Sequence, residues 1–327
     1  KIISRIKGYH GVTVAAASLT GLPANHRSFD LPIQGILHTS CPHYYRFAKD
    51  GETEEQFATR CAEELEALIL KEGPETCAAM IAEPVMGAGG VIVPPKGYYE
   101  KIQAVCRKYD MLFIADEVIC GFGRTGNVWG CQTLNIKPDI LTCAKALSAS
   151  FLPISAVMIN DQVFQALASE SDKIGTWGHG FTYSGHPVAA AVALEAQKIY
   201  DEIDLFGHAK RLSPIFQKHI QSFADHPLVG EAMGIGMFGA LEVVKDKKTK
   251  EAFDTKEAFD VVAVGAGLKV YNQAVARGLF IRNMGDRIAI CPPLIINETE
   301  LADLFGRLRQ SLDAALAELK SEGHFKG

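Results

Sequence analysis

No apolar run in this 327-residue chain approaches the roughly 20 residues of a membrane span, and the opening KIISRIKGYHG carries neither the apolar core nor the cleavage site of a signal peptide. A cytoplasmic location and no membrane partner are therefore the default expectations. Basic runs are missing too. The 33 Lys and Arg are outnumbered by 38 Asp and Glu, a net charge of -5, which removes the electrostatic footprint that nucleic acid requires. Cysteine is present but unpatterned: the eight, at 41, 61, 77, 106, 120, 131, 143 and 291, form no C-x-x-C pair and have no histidine at ligand spacing. They read as reduced and mostly buried, with no metal site and no disulfide framework. An initial methionine is lacking as well; position 1 is Lys, already inside a strand pattern, so something upstream is expected to be missing. No internal repeat or low-complexity linker occurs. What these absences leave is small-molecule chemistry.

The composition, 48% hydrophobic and 22% charged, suits one large core and a smaller one. The run TEEQFATRCAEELEALILKEGP from residue 53 has Thr53 and Gln56 at capping-box spacing, Phe57, Cys61, Leu65, Leu68 and Ile69 on one helical face, and Gly73-Pro74 as a stop. CAAMIAEPV and MLFIADEV read as buried strands on either side of a second helix, GYYEKIQAVCRKYD, and ILTCAK and ISAVMIN as two more buried strands. Strands alternating with helices predict a mainly parallel sheet covered on both faces. SGHPVAAAVALEAQKIYDEI is helical, with Pro187 in its first turn. Beyond about residue 205 the pattern becomes mixed: a helix through RLSPIFQKHIQSF, a strand in MFGALEVV, a helix ending at Gly278, a hairpin turning at 284–286, and a final helix from Asn297 with Glu300 closing its capping box. The expected organisation is a large α/β domain over 1–205 and a small α/β domain over 206–327.

Two segments match G-x-G-x-x-G, GFGRTG at 121–126 and GIGMFG at 234–239, yet neither sits between a strand and a helix, so a dinucleotide site is rejected. Asp116 ends the apolar LFIAD. An acid there is either functional, since strand carboxyl ends face the ligand crevice of an open α/β sheet, or a carboxylate satisfied by nearby backbone donors. Lys145 ends another such run and is either a snorkelling lysine or a reactive amine. Together the pair says more. A lysine desolvated among apolar neighbours suits a Schiff base, and a carboxylate nearby keeps a pyridine nitrogen protonated, which are the two groups that pyridoxal 5'-phosphate requires.

YHG at 9–11, IAEPVMGAGG at 81–90, FIADEVICGFGRTG at 113–126, CAKALSAS at 143–150 and GHGFTYSGHPVAAAVALE at 178–195 strongly resemble class III PLP-dependent aminotransferases, most of all the omega-amino acid or amine:pyruvate transaminases. The resemblance continues through HPLVGEAMGIGMFGALE and IRNMGD. It implies a fold-type-I PLP-dependent transferase, an α/β protein working as a homodimer, or a tetramer built from it, by ping-pong transfer from an amine or omega-amino acid donor to pyruvate. Lys145 would carry the cofactor and move the proton, and Asp116 would pair with the pyridine nitrogen. Val118 and Tyr9 would pack on the two ring faces, with His10 beside Tyr9 and Glu83 near Asp116. Thr182 would bond the phosphate of the neighbouring subunit's cofactor, and Arg282 would pair with a substrate carboxylate through its bidentate fork. Plainer roles stand beside three of these: Tyr9 as a core aromatic, Thr182 as a helix cap, Arg282 as a surface charge.

The family's Gly/Ser-rich loop before YHG, which cradles the cofactor phosphate, and its N-terminal segment are not in the sequence. Ile119 stands where many relatives that use 2-oxoglutarate carry Gln, which points to the pyruvate branch. The rival readings are another class III PLP enzyme (a 2-oxoglutarate-dependent aminotransferase, an aminomutase or a racemase) and a non-catalytic truncated fragment.

Overall fold

The structure is a computed structural model that describes residues 1–253 and 264–325. Six strands, β1 (Ile2–Arg5), β2 (Ile36–Thr39), β3 (Ala79–Ala82), β4 (Leu112–Asp116), β5 (Ile140–Cys143) and β6 (Ala156–Ile159), form one sheet in the order β2-β1-β3-β4-β5-β6. The first five run parallel, and β6 pairs antiparallel with β5. Four more, β7 (Val229–Ile235), β8 (Phe238–Val243), β9 (Arg282–Met284) and β10 (Arg287–Ile290), make an antiparallel sheet in the order β7-β8-β10-β9.

The helices are α1 (Val14–Leu19), α2 (Tyr44–Phe47), α3 (Glu54–Glu72), α4 (Tyr98–Lys108), α5 (Gly130–Thr133), α6 (Asp161–Ile174), α7 (Pro187–Glu202), α8 (Leu205–Ser222), α9 (Ala266–Val275) and α10 (Glu298–Ser321). In α3 the predicted capping box forms: Thr53 Oγ1 accepts from Gln56 N at 3.2 Å and Gln56 Oε1 from Thr53 N at 2.8 Å. Phe57, Cys61, Leu65 and Ile69, four residues apart, bury one face of it against Met80, Phe113 and Ile102, at about 2 kcal/mol for each large apolar side chain. Asn297 and Glu300 close the box of α10, which with α8 and α9 covers the small sheet through Phe216, Val270, Leu308 and Leu312. Among the described residues, no helix is long and apolar enough to cross a membrane.

Several expectations need correction. The strand β7 lies in a segment that carries no strand in the sequence reading. GIGMFG is its hairpin turn into β8, with Gly236 at φ +59°, a left-handed conformation in which an added Cβ would lie 2.3 Å from the carbonyl carbon of Thr125. The apolar run ISAVMIN is not buried: Val157, Met158 and Ile159 of β6 are exposed, because the strand forms the sheet edge and the described residues leave its outer side open. Seven of the eight cysteines are buried and free, while Cys291 is exposed.

The two sheets are laced together by buried charge. Arg287 of β10 donates through Nη1 to Glu231 of β7 at 2.7 Å and Glu242 of β8 at 2.5 Å, and through Nε to the carbonyl of Gly90 in the loop after β3. His43, just before α2, lies 2.8 Å from Glu231 through Nε2, and Arg46 pairs with Glu242. His43, Glu231 and Glu242 have the spacing of a metal trio, but the guanidinium already fills the cation's place. Gly90, at φ +125°, is required here, since an added Cβ would meet Arg287 Cδ at 2.5 Å.

Candidate active site

Parallel pairing sets the carboxyl ends of β1, β3, β4 and β5 along one sheet edge, and the functional side chains follow those ends. Asp116 closes β4 and is 6% exposed. A charged group so buried needs donors, and it has them: Oδ1 accepts from the Val118 N–H at 3.1 Å, and Oδ2 lies 2.8 Å from Nδ1 of His10. The plain and the functional readings of Asp116 thus share one geometry.

Glu83, one residue past β3, is also buried. Its Oε1 accepts from Tyr9 N at 3.0 Å and its Oε2 from Gly87 N at 2.8 Å. Burial pushes its carboxyl upward and Asp116 adds to the rise, while His10 and the two backbone donors work against it. Beneath lies Arg5, fully buried, with Nη2 donating to the Glu83 carbonyl at 2.6 Å and Nη1 to Tyr99 Oη at 3.0 Å. Glu117 has no exposure either; it caps α5 by accepting from Gly130 N at 2.9 Å and Cys131 N at 2.6 Å, and burial raises it. Arg5 and Glu117 carry no signal in the reading of the sequence, because each is satisfied by groups far away or by the backbone.

Thr142 of β5 pairs with Asp116 in the sheet, and Lys145 follows three residues later. Its surroundings differ from the expectation. Lys145 is exposed rather than desolvated, and β5 ends at Cys143 with only that residue buried. The lysine opens a tight 3-10 turn, Lys145–Ser148, in the left-handed region at φ +48°. The turn is held from α7: Tyr200 Oη donates to Ala146 O at 2.7 Å and Gln197 Nε2 to Leu147 O at 3.0 Å. Its position is built even though its cover is not.

The structure therefore gathers Tyr9, His10, Glu83, Asp116 and Val118 through direct hydrogen bonds and sets Lys145 on the neighbouring strand's end. Tyr9 and Val118 are half-buried, so Tyr9 is not a closed core aromatic. Thr182 and Arg282 are both exposed and share no hydrogen bond with that group among the described residues. Thr182 lies in a turn before α7, whose N-cap is His186, so the helix-cap reading fails. Arg282 opens β9 opposite Ala289.

The family model described as Aminotransferase class-III matches residues 1–312. A solved structure titled "Transaminase with L-ala" superposes with a TM-score of 0.93 at 56% identity, covering 98% of this chain and 74% of that one. The omega transaminase from Pseudomonas jessenii in complex with PMP does so at 53% identity and a TM-score of 0.93, covering 98% and 69%. Gamma aminobutyrate transaminase 1, mitochondrial, of Solanum lycopersicum is 50% identical over 325 residues, 98% of this chain. The chain spans 62% of the length of that relative. That relative is named as mitochondrial and a second tomato relative, at 49% identity, as chloroplastic, so neither supports the cytoplasmic expectation. With a family match over nearly the whole chain and a superposition that holds at above half identity, the chain belongs to the class III aminotransferases.

Proposed function

We propose that the protein is a pyridoxal 5'-phosphate-dependent transaminase that moves an amino group from an omega-amino acid or primary amine to pyruvate by a ping-pong sequence. The observation that carries this reading is a buried, doubly hydrogen-bonded carboxylate, Asp116, whose sheet partner Thr142 leads within three residues to an accessible amine, Lys145. A pyridine nitrogen calls for the first and an aldehyde for the second, so the residues present fit the cofactor. When bound, the cofactor supplies an electron-withdrawing ring that stabilises negative charge at the substrate carbon.

The chain's own groups do the rest. Asp116 holds a proton at the ring nitrogen. Lys145 would hold the cofactor through its Nζ at the aldehyde and, when freed by the incoming substrate amine, would move the proton at the substrate carbon. Val118, whose N–H is fixed on Asp116, and Tyr9, whose N–H is fixed on Glu83, would hold the ring. Arg282 pairs with a donor's or acceptor's carboxylate. The large unit over 1–205 holds the cofactor, and the small unit over 206–327 supplies that arginine.

A homodimer is part of this reading. Trp177, Phe181 and Tyr183, next to Thr182, are exposed, and so are Val157 and Met158 of β6, apolar side chains fit to meet a second copy. That copy would receive Thr182 at its phosphate and remove Lys145 from water. Pyruvate as acceptor is supported by Ile119 and by the L-alanine in one neighbour's title, and an omega-amino acid donor by the names of the tomato and rice relatives.

The test is product formation from the PLP-loaded protein. Alanine is expected from pyruvate with γ-aminobutyrate or a primary amine. Glutamate from 2-oxoglutarate in place of alanine would move the chain to the other acceptor branch, and neither product would overturn the assignment in favour of an aminomutase, a racemase or an inactive fragment.

A further inference from the structure

The two G-x-G-x-x-G segments, neither of which has the context of a dinucleotide site, meet each other in the fold. Met237 N donates to the Arg124 carbonyl at 2.9 Å, and Arg124 Nη1 donates back to the Met237 carbonyl at 2.9 Å. Backbone touches backbone here: a Cβ added at Gly236 would lie 2.3 Å from the carbonyl carbon of Thr125 and 2.6 Å from the carbonyl oxygen of Arg124. The first segment follows β4 and Asp116, and the second turns β7 into β8, so their contact is a joint between the two sheets.

Arg124 reaches further. The same Nη1 donates to the Pro292 carbonyl at 2.7 Å, two residues past the end of β10. At the other end of that strand Arg287 pairs with Glu231 and Glu242 and donates through Nε to the Gly90 carbonyl. Both ends of β10 are thereby tied to loops of the large sheet that set out from the site. In one loop Glu83 Oε2 accepts from Gly87 N at 2.8 Å and the Gly87 carbonyl from Gly90 N at 3.0 Å. In the other the carbonyl of Glu117, next to Asp116, accepts from Gly121 N at 2.9 Å. Arg282 is exposed on β9, an edge strand that, among the described residues, pairs with β10 alone, through Arg282 with Ala289, Asn283 with Ile288 and Met284 with Arg287. The place of Arg282 is inherited from β10. A bidentate pair has a fixed geometry, so a shift of about 1 Å in the hairpin is felt by a carboxylate and not by an uncharged chain.

We infer that Arg124 and Arg287 are positioning residues for Arg282: they clamp the two ends of β10 to the loops that leave Asp116 and Glu83, and so set where the Arg282 guanidinium meets a substrate carboxylate and how strongly donors that carry one are preferred. The inference rests on the role proposed above for Arg282, and its test separates the two.

The half-reaction of the PLP-loaded chain, followed by loss of the visible band, is measured with γ-aminobutyrate and with butylamine, which lacks the carboxylate. The variants are Arg124→Met, Arg124→Lys, Arg287→Lys, which keeps the countercharge of the two buried carboxylates but loses the fork, and Arg282→Ala. Arg124→Met and Arg287→Lys should each raise the half-saturating γ-aminobutyrate concentration about tenfold and that of butylamine by less than about twofold, as Arg282→Ala does, with Arg124→Lys recovering part of the loss. Combined with Arg282→Ala, Arg124→Met should add nothing. Equal losses for both donors, or additive losses in the combined variant, overturn the inference in favour of a plainly structural role. Amide hydrogen exchange of the cofactor-free chains is independent of turnover. Peptides over 279–291 should exchange faster in Arg124→Met and Arg287→Lys while those of α3 do not change. Unchanged exchange in the hairpin, or faster exchange in α3 as well, overturns the clamp whatever the cofactor does. If Arg282→Ala treats the two donors alike, the role proposed for Arg282 falls and this inference with it. No reaction of the unaltered chain with either donor sinks the proposed function, and hairpin exchange alone then decides for or against the clamp.

Discussion

The carboxyl edge of the large sheet has two halves that differ in how much of the site one chain completes. On the β1-β3-β4 side Tyr9, His10, Glu83 and Asp116 are tied together by hydrogen bonds of 2.8 to 3.0 Å, with buried Arg5 beneath and the Arg287 cluster bracing the Gly90 loop. On the β5-β6-α7 side Lys145 is exposed, β6 shows its apolar residues to solvent, and Phe181 beside Thr182 is 79% exposed. On the proposed function, the difference teaches that binding the ring nitrogen would be a property of one chain, whereas desolvating the reactive amine would need a surface that another copy supplies.

The comparison breaks first at the lysine. In Lys145→Ala the built half is untouched, so PLP should still bind, while alanine production falls on the order of 10³-fold or more; retained turnover in a discontinuous assay would remove Lys145 from the chemistry.

The built half should carry the pH dependence of stability. Burial alone would raise Glu231, but the hydrogen bond from His43 and the charge of Arg287 overcome it and hold the carboxyl at about 2. The unfolded value is about 4.3, so the folded group is depressed and contributes stability above that pH that is lost as the pH falls toward 2. Urea unfolding should therefore show Glu231→Gln less stable by on the order of 3 kcal/mol at pH 7, with the gap closing as the pH drops from about 5 to 2.5. A gap that stays constant with pH would mean that the carboxyl is not held by His43 and Arg287.

The smallest effect belongs to the open half. Phe181→Ser should leave unfolding of the isolated chain within about 0.5 kcal/mol, because that ring is largely exposed in one chain and meets His179 edge-on at the surface, yet weaken self-association in sedimentation. Loss of chain stability without loss of association would place Phe181 in a core instead.

Much of this was legible in the sequence for definite reasons. The capping boxes at Thr53 and Asn297 and the 3.6 period of α3 mark helices by local chemistry alone, and they form where the spacing puts them. Asp116 and Lys145 are both single charged residues at the ends of apolar runs, a signal that parallel pairing converts into proximity. What stayed hidden depends on distance in the chain. Arg287 meets Gly90 and Glu231 across long separations, and Arg5 is buried by contacts with Tyr99 and Glu83 that no spacing announces. The apolar run of β6 says that something covers it, but not whether the cover comes from the same chain, which is why it and Lys145 were expected to be buried.

The most direct test of the central claim is borohydride reduction of the PLP-treated chain, followed by mass mapping of the adduct, with the visible spectrum recorded before and after. The account predicts a yellow band that reduction removes and a single modified peptide carrying the cofactor on Lys145. An adduct on other lysines, or no band and no adduct, would contradict it.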